Sequence, residues 1–537
     1  MESGNDVTAK RRDVVIVGGG PVGSALAIEL GRRGVSCALV ERHQSPQPIP
    51  KGQNLTQRTM EHFHSWGVED EVRAARLMPR ESPIGGVVAY RTLLGEHTYS
   101  WYQRDVVGSY YFRANERLPQ YETERVLRAK VESIPSVDTM IGWSAEQVAQ
   151  SPAGVKVTAV ASDGERRTLE AAFLVGCDGS GSIVRRQAGI DETSSAHDER
   201  MVLLVFRSQE LHHKLERFSD KSFFNVLDPA LDGYWRFLGR VDYGEQWFFH
   251  APVPDDTTTE NYDFADLLHR TVGARFSCEF DYVGFWDLRV AVARTYRNGR
   301  IFIAGDAAHS HPPYGGFGVN TGFEDARNLG WKLAATLEGW GSDRLLDSYS
   351  GERSPVFQST ARDFIEASIE RDRDFVRLFD PEIDRAAFDR AWDERRALGN
   401  AEVLDFEPHY EGSPIVHGLP GAESSARGVH QYLARTGHHL SPVSLSSGHN
   451  VFEELGSGFT LLAFDTKTAD IDAFADAAST LSVPLEMIDD RDAGGAEHYG
   501  ARLILVRPDQ FVSWIGDEAP SDVVRVLARS VGRDEPT

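Results

Sequence analysis

Cysteine is scarce. Cys37, Cys177 and Cys278 are the only ones in a chain of 537 residues, and each stands alone, so neither a disulfide framework nor a paired-cysteine zinc or redox site is available. A reducing, cytoplasmic setting fits that usage. Long apolar runs are missing as well: no stretch approaches the roughly 18 unbroken residues of a membrane span. The polar opening, MESGNDVTAKRR, lacks the apolar core and small-residue cleavage site of a secretory leader. Basic charge is in deficit, 57 Lys and Arg against 81 Asp and Glu, for a formal net charge of −24. Such a field repels phosphate backbones and anionic lipid, which argues against nucleic acid and membrane as partners. The chain does have an ordinary globular composition, 41% hydrophobic and 26% charged, and a length that calls for two or three domains.

Residues 11–42, RRDVVIVGGGPVGSALAIELGRRGVSCALVER, hold the first motif. Asp13 to Val17 is a β-branched run without alternation, which predicts a strand buried on both faces in a parallel sheet. Helical spacing takes over through Ala25, Leu26, Ile28 and Leu30 and stops at Gly31 to Gly34; a second strand, SCALVE, follows. Gly18, Gly20 and Gly23 stand at GxGxxG spacing in the turn, where missing side chains let the backbone approach a pyrophosphate at a helix N-terminus. Glu41, followed by Arg42, ends the second strand about 20 residues on, placed to accept from ribose hydroxyls. An acid there disfavours a 2′-phosphate and leaves FAD and NAD open.

Two later stretches choose between them. LVGCDGSGSIVRRQAGI, 174–190, runs from an apolar strand into Asp178-Gly179 and a helix bearing Arg185. GRIFIAGDAAHSHPPYGGFGVNTGFEDARNLGWKLA, 299–334, is a third strand ending in Gly305-Asp306, then a Pro and Gly loop and a long helix. Asp306 at a strand terminus can accept from a ribityl hydroxyl. Gly315, Gly316 and Gly318 free amides at the helix start, where amides and dipole suit the anionic edge of a reduced flavin. Asn320 can bond the pyrimidine edge. In this order and at these spacings, over residues 12–375, the motifs resemble those of the single-component FAD-dependent aromatic hydroxylases, the phenol hydroxylase and 2,4-dichlorophenol 6-monooxygenase group of flavoprotein monooxygenases.

The expected fold class is α/β. A Rossmann-like FAD-binding domain is discontinuous over 1–80, 118–197 and 291–375. A β-sheet substrate domain is inserted from 81–117 and 198–290, where SYYFRAN, DGYWRFLGR and EQWFFHAPV show strand patterning. Residues 376–415 read as polar helices bridging outward, and 416–537 resembles a thioredoxin-like domain, here without a cysteine and so without dithiol chemistry.

The resemblance implies roles for further residues. Arg58 would reach FAD phosphate, Gln120 the adenosine and ribityl side, and Asp178 both FAD and the nicotinamide; Val319 belongs with Gly316 and Gly318 at the helix start. Pro313 matches a proline whose carbonyl points toward the oxygen site. Tyr234, Arg236 and His250 are the candidates for phenol activation, with β alternation putting 234 and 236 on one face. The implied activity is a monooxygenation: FAD, reduced by NADH or NADPH, meets O2, forms a C4a-hydroperoxide and hydroxylates a phenolic or polyketide-like aromatic. Baeyer-Villiger or epoxidation chemistry on the same fold is the alternative. A small aromatic substrate and a homodimer complete the expectation. No metal is expected, because His309, His311, His438 and His439 have no carboxylate spacing that completes a site.

Overall fold

The computed structural model describes residues 11–79, 84–491 and 494–533. The opening decapeptide and the expected boundary between residues 80 and 81 lie outside the described residues.

The unbroken DVVIV run becomes the centre of a parallel sheet. Strand Arg12–Val17 pairs in parallel with Cys37–Glu41 on one side and Arg166–Gly176 on the other. Val137–Ile141 and Ile301–Ile303 extend the sheet outward, also in parallel. Val14, Val15 and Ile16 are fully buried, as a strand covered on both faces requires. Register aligns Val17 with both Val40 and Gly176, and Gly176 with Ile303, so three motif strands end together at one edge. In open α/β sheets that carboxyl edge is where ligands bind. Helix Pro21–Gly31 packs against the long helix Phe317–Leu337.

The second sheet has eight strands, ordered His309–Ser310, Glu279–Ala293, Glu192–Arg207, Gln246–Val253, Trp235–Arg240, Phe223–Leu227, Gly86–Tyr90 and Thr98–Trp101. Alternation divides it cleanly. Phe224, Leu238 and Phe249 pack beneath helix Phe264–Val272, whereas Phe223, Phe237, Phe248 and His250 look toward the first sheet's carboxyl edge. Two strands, Glu192–Arg207 and Glu279–Ala293, run across the expected domain limits at 198 and 290. The sheet is thus joined to the nucleotide domain by continuous strands.

The segment read as reaching outward folds inward instead. Helix Arg385–Ala397 buries Phe388 and Trp392, whose rings meet Tyr90 at 4.7 Å and Tyr99 at 5.1 Å. Two aromatics one turn apart give a polar helix a buried stripe. In the C-terminal region, Phe459–Phe464 pairs in parallel with Leu485–Asp490 across helix Thr468–Leu481, and antiparallel with Leu503–Val506, which pairs with Val512–Gly516. Helix Val523–Ser530 packs on Thr468–Leu481, giving the thioredoxin-like arrangement. Among the described residues no helix is long and apolar enough to cross a membrane.

Candidate active site

One cavity of about 680 Å³ opens where the parallel strands end, and it runs from Glu41 and Arg42, past Gly18, Gly20, Asp178 and Asp306, to the aromatic face of the second sheet. Gly18 adopts φ +103° and donates its amide to Val40 O at 2.8 Å. A side chain at Gly23 would put its Cβ 1.8 Å from Gly18 O, so the helix approaches the turn only because that position is bare. Gly23 therefore stands behind the cavity wall. Glu41 accepts from the amides of Gly19 and His43, both at 2.6 Å, which fixes its carboxylate at the cavity's mouth.

Asp178 accepts from Ser182 Oγ at 2.5 Å and from the amide of Ile183 at 2.7 Å, capping the helix that follows while still lining the cavity. Arg185 donates to Ala307 O at 3.0 Å and Ser180 O at 3.1 Å. It ties the second motif to the third. Asp306 is exposed and lines the cavity, between buried neighbours on either side in the chain. Burial raises its pKa, partly offset by His309 and Lys51. Gln120, Gly316, Gly318 and Val319 complete the wall. Gly316 caps helix Phe317–Leu337 at φ +69° with no side chain bonding the first amides, so the positive end of the helix dipole is exposed to the cavity. These residues fit FAD: a bare turn for a pyrophosphate, a fixed carboxylate for a ribose, an acid for a ribityl hydroxyl and an uncapped helix start for the flavin's anionic edge.

Other sequence-derived assignments fall elsewhere. Arg58 is not in the cavity wall; its guanidinium bonds Glu61 and Glu324, both at 3.1 Å, and also Gln510. With those acids satisfied, it fastens the nucleotide domain to the C-terminal one rather than offering itself to a phosphate. Asn320 is also spent. Its Oδ1 accepts from the Thr56 amide at 2.9 Å and Thr59 Oγ1 at 2.6 Å, and its Nδ2 donates to Asn54 O and Gly316 O. It pins the KGQNL loop to the helix start and does not line the cavity. Arg236 points to the sheet face opposite the cavity and pairs with Asp228 at 2.9 Å. Tyr234 precedes the strand, beneath the Arg373 guanidinium. Phe237, not Arg236, meets the cavity.

His250 and Pro313 do line it, with Trp101, Tyr102, Phe223, Phe237 and Phe248. His250 is 4% exposed and neither ring nitrogen has a partner. Burial pushes its pKa down to about 4, which keeps the imidazole neutral. Trp286, centred 5.8 Å away, has an unpartnered buried Nε1. Two further residues line the cavity that the sequence did not assign to it. His311 faces Pro312 O through Nδ1 at 2.6 Å and has Nε2 buried without a partner; burial lowers its pKa to about 4. Its place directly before the PPYGG loop was the available signal. Arg117, just ahead of the LPQYETERVL segment, is buried in the wall, and its guanidinium bonds Asn54 Oδ1, Gln53 Oε1 and Arg240 O but, among the described residues, no carboxylate. Burial, then Arg76 and Arg240, push its pKa down to about 9, the mark of a cation short of an anion.

Known proteins share this arrangement. Residues 11–363 match the FAD binding domain family and 434–534 the aromatic-ring hydroxylase C-terminal family. A putative polyketide hydroxylase of Streptomyces halstedii is 33% identical, with 98% of this chain and 97% of that one covered. A 4-methyl-5-nitrocatechol 5-monooxygenase of a Burkholderia species is 30% identical over 95% of each chain. The solved structure of the rebeccamycin biosynthetic enzyme RebC with reduced flavin superposes with a TM-score of 0.85 at 28% identity, covering 98% of this chain and 99% of that one. The chain therefore belongs to the FAD-dependent aromatic-ring hydroxylases, and is a flavoprotein monooxygenase.

Proposed function

We propose that this enzyme uses NADH or NADPH and O2 to hydroxylate a phenolic or polyketide-like aromatic, by chemistry of the flavin C4a-hydroperoxide type. The observation that carries the reading is the continuity of the cavity from the nucleotide turn to the aromatic wall of the second sheet. Relatives named for polyketide and nitrocatechol oxygenation support the substrate class.

Bound FAD would supply the redox chemistry and the activation of oxygen. The glycine turn and Arg42 hold the pyrophosphate, Glu41 the adenosine ribose and Asp306 a ribityl hydroxyl. The uncapped helix start at Gly316 to Val319 stabilises negative charge on the pyrimidine edge. Phe223, Phe237, Phe248 and Trp101 exclude water from the reacting volume. Pro313 stiffens the loop that closes it. His250, neutral, accepts a hydrogen bond from the ring hydroxyl, and Arg117 favours the phenolate as the ring becomes electron-rich. A homodimer is part of this reading, supported by the exposed Leu419, Val429 and Leu433 in the first part of the C-terminal domain; a monomeric sedimentation coefficient would remove it.

Purified protein should be yellow. Stopped-flow reduction by NADH and by NADPH, with and without a panel of phenols, naphthols and hydroxyanthraquinones, should reveal an aromatic that accelerates reduction, consumes O2 and emerges hydroxylated. Colourless folded protein, or O2 consumption indifferent to every aromatic, defeats the reading.

A further inference from the structure

Away from the flavin cavity, the strand pair Phe406–His409 and Ser425–Arg427 carries another group of chemistry-bearing side chains. His409, Glu411 and His438 bring one ligand atom each within 4.8 Å of one another. None of the three lines the cavity. His409 and Glu411 come from the end of the strand and the residues after it, and His438 from the turn that enters the C-terminal domain. Chain spacing alone could not unite them.

The outer contacts are as informative as the cluster. His409 Nε2 faces Arg427 O at 3.2 Å, which leaves Nδ1 buried without a partner on a residue only 8% exposed. His438 Nδ1 faces Glu407 Oε1 at 2.7 Å, and Glu407 is steadied by Arg435 at 3.1 Å. Metal-binding histidines typically donate the far ring N–H to a carbonyl or carboxylate, fixing the tautomer and aiming a lone pair at the ion. Both histidines here hold such a partner. With Nδ1–H given to Glu407, His438 turns a lone pair toward Glu411 Oε1, 2.7 Å from its Nε2. A divalent ion would take the place of the proton shared across that 2.7 Å contact.

We propose that His409 Nδ1, His438 Nε2 and Glu411 form a site for a divalent ion of the zinc class, with water completing the tetrahedron where Glu411 meets solvent. Two imidazoles and one carboxylate suit zinc and its neighbours, whereas calcium and magnesium prefer oxygen throughout. A tetrahedral zinc with its usual bond lengths sets donors roughly 3.3 Å apart; the two imidazoles stack with centroids 4.6 Å apart and planes 16° apart, so one ring must turn for both lone pairs to meet the ion. The ion would clasp the strand after the helical segment to the start of the C-terminal domain, where the Tyr410 amide already donates to Gly437 O at 2.7 Å.

Chelator-treated holoenzyme, titrated with zinc sulfate in a non-coordinating buffer, should bind one ion per chain with a Kd of about 1 μM or tighter. The zinc X-ray absorption edge should show two imidazole scatterers and the melting temperature should rise with zinc but not with magnesium. Glu411→Gln and His409→Ala should weaken binding about tenfold or more while leaving the flavin spectrum unchanged. Glu411 is half-exposed, so its variant keeps the test open if the His409 variant fails to fold. No saturable zinc binding, or binding as tight in Glu411→Gln as in the parent, overturns the proposal.

Discussion

His250 carries a cost that a ligand in the cavity repays. Two ring nitrogens sit in an apolar wall with no partner, and leaving a buried polar group unmet costs about 1–3 kcal/mol. Burial also lowers its pKa from 6.5 to about 4. Between those values the unfolded chain binds the proton and the folded one does not, so stability is full above about pH 6.5 and falls as pH drops toward 4, by up to about 3 kcal/mol. His62 and His311 are lowered to about 4 as well and steepen the same limb. Replacing His250 by Leu should flatten it, seen in denaturant midpoints measured against pH, and should weaken aromatic binding about tenfold; unchanged ligand affinity would remove His250 from the substrate site. Arg117→Gln should weaken an ionised phenol about tenfold more than its neutral methyl ether, read from flavin absorbance titrations. Equal losses for both would mean that the guanidinium serves packing alone. Of the residues the sequence singled out, His250 and Pro313 line the cavity and Arg58 and Asn320 do not. Nothing local to Arg58 announces Glu324 or Gln510, which arrive from distant parts of the chain, and a basic residue after a glycine loop looks the same whether it meets a phosphate or an acid.

Strands and helices were more legible than side-chain partners, for a physical reason. Gly18, Gly20 and Gly23 owe their spacing to backbone geometry, which neighbours in sequence dictate. A Cβ at Gly23 lands 1.8 Å from Gly18 O, so Gly23→Ala should open the turn and yield folded but largely colourless protein; retention of the parent's ratio of flavin to protein absorbance would show that the turn does not grip the cofactor. In the second sheet, alternation told which residues share a face but not which face meets the cavity. That choice is made by helix Phe264–Val272 covering the other side, and it exchanges Arg236 for Phe237. The inward packing of helix Arg385–Ala397 was missed because its charge hides two aromatics. Trp392→Ala should cost about 3–5 kcal/mol, measurable by denaturant unfolding, because the ring is wedged among Tyr90, Tyr99 and Phe388.

Across the whole molecule, a buried ion cluster holds the C-terminal domain to the flavin domain. Arg507 reaches Glu352 at 2.7 Å and Asp509 at 2.6 Å, and Lys332 reaches Glu352 at 2.6 Å. The side chains of Arg507, Glu352 and Lys332 are wholly buried. Trp331 and Asn328, on the helix whose first turn faces the cavity, bond Asp509 and Glu352, and Arg327 donates to Pro508 O at 2.7 Å. The tail thereby fixes the far end of the helix that presents Gly316 to Val319. Desolvation makes such clusters poor sources of net stability, yet removing one member strands its partners uncompensated. Arg507→Met should accordingly cost about 3 kcal/mol or more, and Glu352→Gln a comparable amount. The double variant should cost clearly less than their sum, since each change relieves the charge the other exposes. Denaturant unfolding of the four proteins, followed by flavin fluorescence and by tryptophan fluorescence, reads both the coupling and its reach. Costs that add within about 0.5 kcal/mol, or a flavin signal that outlasts the tryptophan signal, would mean the domains are neighbours without being coupled.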